Sequence, residues 1–218
     1  MIELSFSYSI AMDSLFQFKK LRTLISLGFV LSLTSCVSPP PPSDLDNVCN
    51  IFREYPKWYT HAKDVERRWK VPVPVQMAII HQESKFVADA KPPRQKLLGF
   101  IPWKRPTTAT GYAQVLHGTW NEYKQTNGGL LSSRHNFSDG VDFIGWYANL
   151  AHRRAGINRS DAYPLYLAYH EGIGGYQRKT YLKKAWLLPV ARKVKARSQL
   201  YAMQLNSCRG SLKRRSWL

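Results

Sequence analysis

Glu83 closes the apolar run VQMAII in the stretch HQESKF, and the run holds no other acid. On a helix its neighbours at i−3 and i−4 are Ile80 and Ile79, which cover the same patch of surface. An apolar surround disfavours the carboxylate and raises its pKa, as a general acid needs. A glutamate at a helix end can equally be a solvated surface group, so the rest of the chain has to decide. No pair of Cys or His has the spacing of a zinc site, and no metal or other cofactor is expected.

The elements that must hold Glu83 punctuate themselves from residue 47 onward. In PKWYTHAKDVERRWK, Trp58, Ala62, Val65 and Trp69 recur at helical spacing. Pro74 sits where a first helical turn tolerates proline, which predicts a helix over about 74–84. Thr119 can cap WNEYKQ, Ser138 can cap DGVDFIGWYANLAHRRAG, and Asp161 can open AYPLYLAYHEG before Gly172 stops it. The C-terminal segment, interrupted at Pro189, predicts one or two basic amphipathic helices. No alternating strand longer than a few residues and no internal repeat occurs. The fold class is therefore mainly α, with one long Pro-rich connection over 87–110. That connection carries a small apolar knot of Leu97, Leu98, Phe100, Ile101 and Trp103, which argues that it packs.

Length and composition fit one globular domain with attachments: 218 residues, 44% apolar, 13% aromatic. The net charge of +18 favours an anionic partner, whether nucleic acid, an acidic membrane or an acidic polymer. Nucleic acid has only that charge in its favour, since no recognised binding module is present.

The N-terminus carries an address. In FKKLRTLISLGFVLSLTSC a basic segment precedes an apolar stretch, Leu24 to Leu33, too short to span a bilayer comfortably. It ends in Leu33-Thr34-Ser35-Cys36, which resembles a bacterial lipobox and implies lipidation at Cys36, with Met12 as an alternative start. Val37 then stands where inner-membrane retention commonly uses Asp, which suggests the outer membrane of a Gram-negative cell. The expected organisation is a signal peptide over 1–35, a stiff Pro-rich tether over 36–46, a folded domain over 47–210 and a basic tail over 211–218. Cys49 and Cys208 can pair in an oxidising periplasm and tie the ends of the domain, with two buried thiols as the alternative.

Four blocks, in order, resemble the lytic transglycosylases of the soluble (SLT) type. QESKF at 82–86 resembles the family's Glu-Ser-x-Phe block, and ATGYAQVLHGTW at 109–120 its Ala-x-Gly-Leu-Met-Gln block with Gly111 and Gln114 retained. DFIGWYANL at 142–150 fits the intervening helix. LAYHEGIGGY at 167–176 resembles the Ala-Tyr-Asn-Ala-Gly block with Ala168, Tyr169 and Gly172 retained. The resemblance implies a lysozyme-like helical domain with a groove for the glycan strands of peptidoglycan, beside which the Pro-rich loop would lie. It implies Glu83 as the catalytic acid and base, with Tyr112, Gln114, Tyr169 and His170 at the substrate. The product would be a 1,6-anhydro sugar.

Three departures stand out. The connection from Glu83 to Gly111 is longer than the family's, and the serine that the family carries there has no clear counterpart. Tyr112 and Ala113 replace Leu-Met, and the Tyr112 ring has two readings, stacking on a sugar or packing into the core. His170 and Glu171 replace Asn-Ala, making Glu171 the candidate second carboxylate that hydrolysis would use if it faces the groove; the favoured reading is a structural residue that caps the following turn. A hydrolytic muramidase and a non-catalytic peptidoglycan-binding lipoprotein are the rival readings. The expected partners are peptidoglycan and, through the lipid, the membrane; nucleic acid is not among them, and a monomer is expected.

Overall fold

The computed structural model describes residues 38–97, 101–102 and 105–215. The signal segment and Cys36 lie outside them, as do Leu98, Phe100 and Trp103 of the apolar knot. Among the described residues eight α-helices follow one another: α1 (Val48–Glu54), α2 (Pro56–Trp69), α3 (Val73–Ser84), α4 (His117–Thr126), α5 (Phe137–Ala155), α6 (Ala162–Glu171), α7 (Ile173–Gln177) and α8 (Leu187–Arg215). A short hairpin, β1 (Lys96–Leu97) with β2 (Ile101–Pro102), pairs antiparallel within the Pro-rich connection. A 3-10 turn spans Thr180–Lys183. The fold is mainly α, as the periodicities require.

Local chemistry sets the helix ends. Asn47 accepts from the backbone N–H of Cys49 and of Asn50, and Asp161 accepts from that of Tyr163. Pro56 and Pro74 occupy first turns, where the missing N–H costs no helical bond. Two expected caps are displaced. Leu116, with no side-chain bond, precedes α4, and Thr119 is already inside it; Asn136 caps α5 by accepting from Ser138, the residue expected to do so. Pro189 does not interrupt the last helix. It lies in the first turn of α8, which then runs unbroken for 29 residues through the start of the expected basic tail.

The core joins helix α3, which carries Glu83, to everything else. Ten of its twelve residues are buried, among them Met77, Ile79 and Ile80. A helix apolar on all sides has to be surrounded, and α3 packs on α8, α5, α2 and α6. Trp58 of α2 stacks on Phe137 of α5 with ring centroids 4.1 Å apart. Asp142 joins three helices, accepting from Trp69 Nε1 at 2.8 Å and from the Tyr123 hydroxyl at 2.7 Å.

The described part of the Pro-rich stretch is not a free tether. Pro42 is buried, the Tyr55 hydroxyl donates to the Pro40 carbonyl at 2.8 Å, and Arg197 of α8 pairs with Asp46 at 2.6 Å. The Tyr201 hydroxyl donates to the Leu45 carbonyl, and Gln204 bonds the backbone of both Asp46 and Val48. A disulfide joins Cys49 to Cys208, so α1 is stapled to α8.

Candidate active site

Glu83 lies in the last turn of α3. The helix stops one residue later because Lys85 and then Phe86 adopt left-handed backbone, with φ of 53° and 62°. Phe86 is fully buried and packs on Trp58, which anchors the chain immediately after the acid. Ser84 donates back to the Ile80 carbonyl at 3.4 Å and takes no other part.

The surroundings of Glu83 decide its proton. Burial pushes its carboxyl up to about 7 from an ordinary 4.5, opposed by the hydroxyl of Tyr166 and the charge of Lys85. Tyr166 and Tyr169, one turn apart on α6, both face it. Burial raises both phenols, and the negative charge of Glu83 raises them further. The Tyr169 hydroxyl donates its proton to the Ala113 carbonyl at 2.6 Å. Only its oxygen lone pairs remain available, so towards Glu83 or a bound molecule it can act as an acceptor.

Ala113 belongs to a tight turn at 110–115. Gly111 has φ of 83°, and a Cβ there would come within 2.0 Å of the Arg134 carbonyl oxygen, so only glycine fits. Gln114 is itself left-handed, with φ of 48°, and its amide nitrogen donates to the Ala90 and Gly111 carbonyls at 2.7 and 2.9 Å. Both amide protons are therefore engaged, and only its carbonyl oxygen is open to a ligand.

A cavity of about 240 Å³ opens beside this turn. Gln114, Leu116, Phe143, Tyr147, Tyr169 and His170 line it. Tyr112 does not. It is 1% exposed, packed edge-on against Trp58 and Phe137, with its hydroxyl unpartnered. The aromatic expected at the groove is a core residue, because the turn that presents Gln114 sends Tyr112 inward.

Glu171 reaches the wall of the cavity with its side chain only 4% exposed. Burial would raise its pKa, but bonds from Lys184 at 2.6 Å, Thr180 at 2.5 Å and His170 at 3.0 Å outweigh it and hold the group at about 2. A carboxylate so engaged neither protonates a leaving group nor attacks a carbon. Glu171 is the tie that holds the α6–α7 corner to the turn before α8. His170 also meets Trp186 edge-on at 5.0 Å.

Sequence reading missed Tyr166. Its signal was available: it stands three residues before Tyr169, one turn away on the same helix face. Lys85 was missed because its effect on Glu83 comes through space. Among the described residues no group of three His, Cys, Asp or Glu side chains gathers as a metal site would.

A mainly helical domain with one apolar-shielded glutamate beside an aromatic-lined cavity is the lysozyme-like arrangement. A family model described as the transglycosylase SLT domain matches residues 24–208, and the chain belongs to that family. No curated protein matched it. Membership carries lytic transglycosylase activity in general, peptidoglycan as the substrate and the periplasm as the place of action.

Proposed function

We propose that this protein cleaves the bond between N-acetylmuramic acid and N-acetylglucosamine in peptidoglycan, with Glu83 as the only catalytic carboxyl. The observation that carries this reading is the place of Glu83 at the end of the buried helix α3, facing Tyr166 and Tyr169, where burial pushes its carboxyl up to about 7 and favours the protonated form.

Glu83 gives its proton to the glycosidic oxygen, and the bonding pair leaves with the N-acetylglucosamine. Positive charge develops on the muramyl anomeric carbon, where the sugar's own acetamido oxygen can stabilise it. Glu83, now a carboxylate, takes the proton of the muramyl C6 hydroxyl as that oxygen attacks the anomeric carbon. A 1,6-anhydro ring closes, no water is consumed, and Glu83 is protonated again. Tyr166, beside the carboxyl, stabilises the charged half of this cycle. Tyr169, Gln114 and His170 contact the glycan along the cavity. The rival hydrolysis would use a second carboxylate, and the engagement of Glu171 with Lys184, Thr180 and His170 counts against it.

The chain is further read as a lipoprotein acylated at Cys36 and held at the periplasmic face of the outer membrane, where its strong positive charge draws it to the carboxylates of peptide stems. Incorporation of labelled palmitate that disappears in Cys36→Ser tests the anchor.

The decisive experiment is mass spectrometry of purified sacculi digested with wild type and with Glu83→Gln. Anhydro-muropeptides from wild type alone support the proposal. Reducing ends carrying a water would replace it with a muramidase. Intact sacculi from both, with binding retained, would make the protein a binder.

A further inference from the structure

Helix α3 presents a second polar face away from Glu83. Ala78, His81, Gln82 and Lys85, at helical spacing, meet Lys193, Val194, Arg197 and Leu200 of α8 around a cavity of about 360 Å³. Ala78, Val194 and Leu200 form its apolar wall.

Apart from the Gln82 amide, which both donates and accepts, the polar lining consists of donors. Lys85 Nζ lies 3.2 Å from His81 Nδ1. An ammonium only donates, so Nδ1 accepts and the ring proton sits on Nε2, leaving His81 a neutral donor. Among the described residues that Nε2–H has no acceptor, and neither Lys85 nor Lys193 has a carboxylate in salt-bridge contact. Arg197 is held from behind. Its guanidinium bonds Asp46 at 2.6 Å and lies 5.6 Å from the Tyr201 ring centroid, so it is oriented before any ligand arrives. Three cations, one neutral N–H and one carboxylate leave a surplus of positive charge and of hydrogen-bond donors.

The geometry points to a binding site for a phosphate-type oxyanion between α3 and α8, formed by His81, Lys85, Lys193 and Arg197 and separate from the cavity that Gln114 and Tyr169 line. An oxyanion supplies only acceptors, which is what a pocket dominated by donors lacks, and a held guanidinium with two ammoniums matches its charge. The electrostatics agree. Burial, Lys85 and Arg197 together hold His81 down at about 4 against the weaker pull of Asp46, and burial, Arg197 and Lys193 lower Lys85. An anion relieves that repulsion. The site does not depend on glycan cleavage, so its test stands or falls separately from the proposed activity.

The experiment is long-range 1H–15N NMR of the full chain, following the six histidines with and without inorganic phosphate. At pH 7 the Nε2 signal of His81 is expected to shift and saturate. Its titration midpoint is expected to rise by about one unit or more when phosphate is bound. The exposed Lys193→Glu should abolish both effects while leaving the other histidine signals in place. No saturable change at His81 overturns the site. An equal change in Lys193→Glu overturns it too, since that means an adventitious ion only. A short-chain phosphatidylglycerol below its micellar concentration separates the sources. Half-saturation well below that of inorganic phosphate assigns a lipid headgroup, and equal or weaker binding assigns free phosphate.

Discussion

The Tyr169 hydroxyl donates to the Ala113 carbonyl at 2.6 Å, joining the last turn of α6 to the turn that Gly111 makes possible. Through that one bond the tyrosine beside Glu83 is fixed with its proton pointing away from the acid. A hydroxyl so oriented favours a protonated neighbour, and burial of Glu83 acts in the same direction.

Replacing Glu83 by Gln should remove at least ~100-fold of the activity, the usual contribution of a general acid–base group. Its effect on stability has a definite sign. The folded pKa is raised, so the folded state holds the proton more tightly, and stability falls as pH rises from about 4.5 through about 7. Glu83→Gln should therefore be more stable than wild type at pH 8, by ~1–3 kcal/mol, and nearly equal to it at pH 4. Denaturant melts at the two pH values check this; a variant less stable at both would mean that the carboxyl makes stabilising contacts.

In wild type the rate should fall above about pH 7 as Glu83 loses its proton. Tyr166→Phe removes a group that lowers that pKa, so the alkaline limb of the pH–rate profile should move to higher pH. A movement of about half a unit to one unit is expected. A limb that stays in place would mean that the phenol does not act on the carboxyl.

Glu171→Gln should leave anhydro products as the outcome while weakening the fold. The carboxylate pKa is depressed to about 2, so its contribution is complete above about 4.5 and disappears as pH falls towards 2. Because Lys184 is 42% exposed, solvent screens the pair, and a loss of ~1–2 kcal/mol at pH 7 is the expected scale. Thermal melts at pH 7 and pH 3 should show wild type and variant converging in acid.

Reduction of the Cys49–Cys208 bond frees two helices 159 residues apart in sequence. Loss of ~2–4 kcal/mol is expected, as for closing a long loop. Melting with and without reductant, beside Cys208→Ser, measures it; an unchanged Tm would assign the staple no role in stability.

Gly111→Ala should be severe, at about 2 kcal/mol or more, because it adds a clash with the Arg134 carbonyl to an unfavourable φ. Circular dichroism melts and the accessibility of Tyr169 report whether the turn survives.

The mainly helical class, the stripe of α2 and the position of Glu83 at the end of α3 follow from the sequence. Each depends on neighbours within a turn or two, where spacing and backbone preference act alone. The sequence also carried the family, through ordered blocks that no single residue would have established. Tertiary structure decided what each polar group has left to offer once its partners are counted. It turned Tyr112 into core, engaged both amide protons of Gln114, and drew Glu171 into bonds with Lys184 and Thr180 across the α6–α7 corner. It laid the Pro-rich stretch onto α8 and let that helix run through Pro189. The physical reason is common to all of them: burial and hydrogen-bond satisfaction depend on residues distant in the chain, and only packing brings these together.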